Sequence, residues 1–327
     1  MAKDHFVSQF YLKRFGFPSQ YNQEMFETFV YDIWAKKLKR KAVHNIAFRK
    51  NLFPEHIEKW FCYFESLANT FLRKVDRNVL AIQENRLFIE PHDDIDKFVI
   101  KKLVEFQIRR SISAQQNTEI WVKKSGEELV KRLWNLNLVN FSLSDLSTIL
   151  SQSLYQRTVE SFTRPFFTWK TSDWWENIDT FLSKRQWLIL YVKKNVQASF
   201  ISCDFPLTAL NPNWPNGLRY DTTELYFPLS PNILLVNLKW KYPWGIEYGE
   251  ISDRSFIKLI NKLITANANQ LLFSSSEKLL NSFVSYYHSP TRNFKQWLPS
   301  DISSRIDIED LYQSSIELLR KHWRIAE

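Results

Sequence analysis

Apolar residues recur at steps of three and four in the first third of the chain. Ile57, Trp60, Phe61, Phe64, Leu67, Ala68, Phe71, Leu72 and Val75 fall on one side of a helical wheel. The spacing predicts an amphipathic helix over 54–75 with Pro54 in its first turn. Glu65 lies on the margin of that apolar stripe, not on the wet face. A second helix is predicted over 93–116, with an apolar arc of Ile95, Val99, Ile100, Leu103, Val104 and Phe106. Asp93 and Asp94 suit its positive N-terminal end. Gln107 and Arg110 fall inside the arc, whereas Lys101, Glu105 and Arg109 fall outside it with i,i+4 pairing available. Further helices are expected over 118–140, 143–161, 173–183, 253–273 and 303–323.

The period changes elsewhere. Segments 28–32 and 39–43 carry β-branched and aromatic residues around a polar connection and predict a small hairpin. Short β-rich runs follow at 187–192, 198–202, 224–227 and 233–237, with a turn-forming stretch at 211–217. The pattern predicts an α+β fold, predominantly helical, with a mixed or antiparallel sheet built from the N-terminal hairpin and the strands of the C-terminal half. A single domain is expected over 1–290, helical to 185 and strand-rich over 186–240, followed by a helical extension over 291–327.

Composition narrows the chemistry. The 26 Phe, 13 Trp and 13 Tyr residues among 327 supply a large buried area. Only five glycines occur, and neither a Walker-type run nor a dinucleotide-binding fingerprint is present, which argues against P-loop and Rossmann chemistry. Cys62 and Cys203 are too few for a disulfide framework or a four-cysteine zinc site, and both are expected to be reduced and packed. No signal segment or bilayer-length apolar run is seen, so a cytoplasmic setting without membrane contact is expected. The formal net charge is +9. It favours an anionic partner such as nucleic acid, or else simply keeps an aromatic-rich protein soluble. The excess concentrates only in the second hairpin arm: Lys36, Lys37, Lys39, Arg40 and Lys41 form either a phosphate-contacting patch or a lysine-guarded edge strand.

The N-terminal block, residues 4–15, sets His5 and Gln9 ahead of Phe10, Tyr11, Leu12 and Phe15. It resembles the opening signature of the domain-of-unknown-function family numbered 4238, which reads His-aromatic-Val-Pro-Gln-aromatic-Tyr-Leu. Later segments are similar to further landmarks of that family: Val30-Tyr31-Asp32, Asn45-Ile46-Ala47, Glu65, Gln107 with Arg110, Ser202-Cys203-Asp204-Phe205-Pro206, and Phe227-Pro228-Leu229-Ser230-Pro231. Ser8 stands where the family has proline, and Cys203 intervenes between Ser202 and Asp204. The resemblance covers about residues 4–275 and implies kinship without an activity.

His5, Gln9, Glu65, Gln107, Arg110 and Asp204 are polar residues set among apolar neighbours, and solitary burial of such groups is costly. They are expected to converge. As an active site, His5 would act as general acid or base, Glu65 and Asp204 as metal ligands or a second acid-base group, and Arg110 as a phosphate clamp. Mg or Mn would suit such ligands if oxygen dominates, and Zn if further nitrogens join. As a structural network, the same residues would dock the two halves of the chain. His44, His56, His92, His288 and His322 lack metal-like spacing and are expected at the surface. Two functions stay open: an enzyme acting on a phosphate-bearing substrate, such as a nuclease-like effector, and a non-catalytic module that binds nucleic acid or protein. For protein, the C-terminal helix with Leu311, Ile316, Leu319 and Trp323 is the candidate surface.

Overall fold

The computed structural model describes residues 3–5, 7–50, 55–86, 88–110, 182–183, 185–210, 223–238 and 245–287. The helices expected over 118–140, 143–161 and 303–323, most of 173–183 and the turn at 211–217 lie outside the described residues, as do the side chains of Arg110 and His56.

The chain begins with β1 (Lys3–His5) and α1 (Gln9–Arg14), then β2 (Phe17–Pro18), β3 (Phe26–Asp32), β4 (Lys37–Ala42) and, after a short 3-10 turn, β5 (Phe48–Lys50). Two long helices follow, α2 (Glu55–Gln83) and α3 (Asp94–Arg110). Strands β6 (Gln186–Val192), β7 (Ser202–Cys203), β8 (Thr208–Leu210), β9 (Glu224–Ser230), β10 (Ile233–Leu238) and β11 (Ile246–Ile251) lead to α4 (Arg254–Asn267), β12 (Leu271–Ser274) and α5 (Glu277–Tyr287). The fold is α+β, and among the described residues strand is only modestly outweighed by helix.

One five-stranded sheet runs β11-β6-β10-β9-β8, antiparallel except for the parallel pair β11–β6. A second joins β3 to β12, β12 to β7, and β3 to both β2 and β4. Asp32 pairs with both Leu271 and Lys37, and Glu27 with both Phe17 and Ala42. Hence β2 and β12 share one edge of β3, and β4 holds the other and is itself an outer strand. Among the described residues strand β1 pairs only with β5, setting His5 opposite Phe48.

Alternation along the strands divides the interior in two. Trp187, Ile189 and Tyr191 of β6, with Phe227, Leu235 and Val30, pack with α1, α2 and α3. Leu188, Leu190 and Val192, with Tyr226, Val236 and Tyr31, pack with α4 and α5. Both sheets therefore form one middle layer covered by helices on each face, which is why β6, β9 and β10 read as nearly continuous apolar runs.

Several boundaries differ from expectation. Helix α2 runs two turns past Val75 because Val79 is buried and Ile82 packs on the same core. Glu105 does not face water: it is 2% exposed and accepts an ion pair from Lys102 at 2.8 Å. The stretch 198–202 goes from half-buried to buried at Phe200 but becomes strand only at Ser202. The helix expected over 253–273 ends at Asn267, and Leu271–Ser274 is instead strand β12. At its start, Asp253 accepts a hydrogen bond from Ser255 N at 2.6 Å, an N-cap. Cys203 is buried, but Cys62 is exposed.

Candidate functional site

The family-like residues separate into groups with different work. Tyr11 is fully buried on α1, and its hydroxyl donates to the Pro228 carbonyl at 2.7 Å. With that proton committed, Ser202 Oγ, 2.7 Å away, donates to the same oxygen. Strand β8 pairs with β9 only at residues 224–226, so beyond it the edge of β9 opposite β10 is open to α1. Proline is tolerated at 228 for the same reason, since no ladder partner there needs its missing N–H. One turn further, Arg14 donates to the Leu229 carbonyl at 2.6 Å and makes a bidentate pair with Asp76 of α2 at 2.8 and 2.6 Å. These bonds join α1, α2, β7 and β9.

Asp204 belongs to this scaffold as well. It is 1% exposed, and its carboxylate accepts backbone hydrogen bonds from Asn269 at 2.8 Å, Gln270 at 2.7 Å and Leu271 at 3.3 Å. Its own N–H donates to the Leu271 carbonyl at 3.1 Å. The side chain thus closes the turn from α4 into β12. Burial pushes its acid up from 3.8 to about 6, against the pull of those three donors. Both oxygens accept backbone hydrogen bonds, which gives Asp204 a structural role.

His5 and Gln9 are brought together: the ring is 6% exposed and its Nδ1 lies 3.4 Å from Gln9 Nε2. With the Gln9 amide donating, the ring proton sits on Nε2. Glu65 is half-buried on α2, next to Phe64, and Gln107 is 3% exposed on α3, next to Phe106. The Phe64 and Phe106 rings meet at 5.4 Å, and Phe61 meets Phe106 edge-on at 4.9 Å. Glu65 and Gln107 are thus each next in sequence to a ring of the seam between the two helices, and Arg110 follows Gln107 one turn on. Gln107 Nε2 is buried with no hydrogen-bond partner among the described residues, a costly arrangement for an amide donor. Among the described residues no three His, Cys, Asp or Glu side chains are grouped to share a metal ion.

The basic arm is divided by strand alternation. Leu38, Arg40 and Ala42 stand opposite Tyr31, Phe29 and Glu27, whereas Lys37, Lys39 and Lys41 stand opposite Asp32, Val30 and Thr28. Arg40 is ion-paired with Glu27 and lies over the Phe17 ring at 5.1 Å, so its charge is held within the sheet. Lys37 and Lys39 are exposed, Lys41 half-buried, and none has an ion-pair partner among the described residues. Lys36 holds the turn before them at φ 52°. The three lysines share the face of β3 whose Val30 packs beside α1.

The histidines expected at the surface divide. His44 is exposed, but the His92 side chain is only 6% exposed and bonds Asp96 and Tyr248. The i,i+4 spacing of His92 and Asp96 was the sequence signal for it. Among the described residues no helix is long and apolar enough to cross a membrane.

No curated protein and no solved structure matches this chain. A family model described as a protein of unknown function, DUF4238, matches residues 3–278. The match takes in the His5–Gln9 pair, the α2–α3 seam, the basic hairpin and the Asp204 turn, and the chain belongs to that family.

Proposed function

We propose that the protein is a cytoplasmic enzyme acting on a phosphate-bearing substrate such as nucleic acid, with His5, Gln9, Glu65, Gln107 and Arg110 as its candidate active-site residues. The sorting of the family-like residues carries this reading. Tyr11, Ser202, Asp204 and Pro228 make the joints of the fold. Gln107 Nε2, by contrast, is buried without a hydrogen-bond partner among the described residues, so it is not one of those joints. Buried polar atoms without a structural duty are candidates for ligand contact. As an imidazolium, with the Gln9 amide turned to accept from Nδ1–H, His5 would give its Nε2 proton to a leaving oxygen and revert to the neutral ring, Glu65 would accept a proton from the attacking group, and Arg110 would offset phosphate charge.

The test uses purified full-length chain with labelled RNA and DNA in Mg, Mn or EDTA. Turnover is expected, and it should fall by about 100-fold or more in Glu65→Gln and His5→Asn, with the melting temperature of Glu65→Gln unchanged. Full activity in both variants would remove the site.

The lysines of β4, without ion-pair partners among the described residues, favour a second reading, a binding module without catalysis. Lys37, Lys39 and Lys41 repeat about every 7 Å along the strand, comparable with neighbouring phosphates on an extended nucleic acid. Reversing all three to Glu should weaken binding of a single-stranded oligonucleotide. The slope of log affinity against log salt should flatten by about 2, at roughly 0.7 per lost contact. An unchanged slope identifies β4 as a guarded sheet edge and nothing more. Binding that depends on β4, without turnover, would select the module.

A further inference from the structure

Independently of that reading, we propose that Asn78, Tyr248, His92 and Asp96 form a one-way hydrogen-bond chain that latches the outer strand β11 to the α2–α3 corner only while His92 is neutral. The backbone fixes the direction of the chain. Asn78 Oδ1 accepts from Glu90 N at 2.9 Å, so its Nδ2 faces the other way and donates to the Glu90 carbonyl at 2.9 Å and to the Tyr248 oxygen at 3.0 Å. Tyr248, already accepting, donates its proton to His92 Nε2 at 2.7 Å. The ring's remaining proton is then on Nδ1, which donates to Asp96 Oδ2 at 2.9 Å. Each donor meets one acceptor.

An imidazolium breaks this order. It carries N–H on both nitrogens, so Nε2–H would face a phenol oxygen already receiving Asn78, and the Tyr248 proton would lose its acceptor. The groups around the ring do little to favour the cation. Lys74 of α2 occupies Asp96 Oδ2 at 2.6 Å, and Asp93 N–H reaches the same oxygen at 3.3 Å. Glu90 is paired with Arg77 at 2.7 Å. Asp93 and Asp76 supply the remaining nearby negative charge, and Phe71 and Tyr248 flank the ring at 5.8 and 5.6 Å. Burial lowers the His92 value below 6.5, with Asp96 pulling the other way, and burial pushes Tyr248 up to about 12, so the phenol stays a donor. With a lowered folded value, the latch is complete above 6.5 and is lost as pH falls through that value.

What the latch holds is an edge. Among the described residues strand β11 pairs with β6 alone, and Gly249 sits where a Cβ would meet Leu190 Cδ2 at 2.8 Å. Hydrogen exchange of the full chain, corrected for intrinsic rates, tests the idea from about pH 8 downward. Protection of the β11 amides in the wild type should fall about tenfold or more through the histidine range, while β9 and β10 hold theirs. His92→Gln can accept from Tyr248 and donate to Asp96 without titrating, and should keep β11 protected with no pH step. Tyr248→Phe should weaken β11 at every pH, also without a step. A flat wild-type profile, or a step that survives in His92→Gln, overturns the latch.

Discussion

Asp204→Ala is expected to lower stability by about 3–5 kcal/mol, because one buried and two half-buried backbone donors lose their acceptor at once. In a chain of this size that corresponds to a fall in melting temperature of roughly 10 °C. The pH dependence has a definite sign. The folded acid lies at about 6, above its ordinary 3.8. The carboxyl therefore contributes most below 3.8, and its contribution declines as pH rises through about 6. The difference across that window is about 3 kcal/mol, so the substitution should cost more in mild acid than at neutral pH. Denaturant titrations of Asp204→Ala and Asp204→Asn at several pH values check this. A cost that grows with pH would mean that the three N–H bonds outweigh burial. An unchanged melting temperature in Asp204→Ala would remove its structural role and return it to the candidate active site.

The second large effect is expected at Tyr11. Tyr11→Phe keeps the ring stacked on Phe227 at 5.3 Å but strips the Pro228 carbonyl and Ser202 Oγ of their shared partner. Each buried group left unsatisfied costs about 1–3 kcal/mol, so a loss of about 2–4 kcal/mol is expected. Ser202→Ala alone should cost less, since it leaves the Tyr11–Pro228 bond intact. The double variant should fall short of the sum by about 1 kcal/mol, the coupling expected of residues in contact. Strict additivity in the cycle would show that the two hydroxyls act apart.

Helix α2 was legible because its apolar residues repeat with the helical period over many turns, and the signal ran on through Val79 and Ile82. The hairpin and the runs that became β6, β9 and β10 were legible from β-branched and aromatic density. The junction of α4 and β12 was not. Leu271 and Phe273 continue an apolar rhythm, and residues 267–270 hold no glycine or proline to mark a stop. The stop is supplied by Asp204, more than sixty residues earlier in the chain. Strand β11 was missed because all its residues but Ile251 are exposed or half-buried, too polar for a strand signal, and its place depends on β6 and Tyr248.

The candidate site shows the same division. Polarity inside apolar surroundings singled out His5, Gln9, Glu65, Gln107, Arg110 and Asp204, but the residue types could not say which of them hold the fold together. The basic arm was visible as five charges, and only its pairing with β3 separated the paired Arg40 from Lys37, Lys39 and Lys41, which have no ion-pair partner among the described residues.

By itself the sequence determined the family, the α+β class and the long helices, since those depend on periodicity and local spacing that any stretch of chain carries within it. The tertiary structure alone decided where the helix before β12 stops, which polar residues are occupied by backbone, and how His92 is wired. Those outcomes depend on hydrogen-bond partners far away in the chain, and a donor's or acceptor's partner is fixed only when the layers have packed.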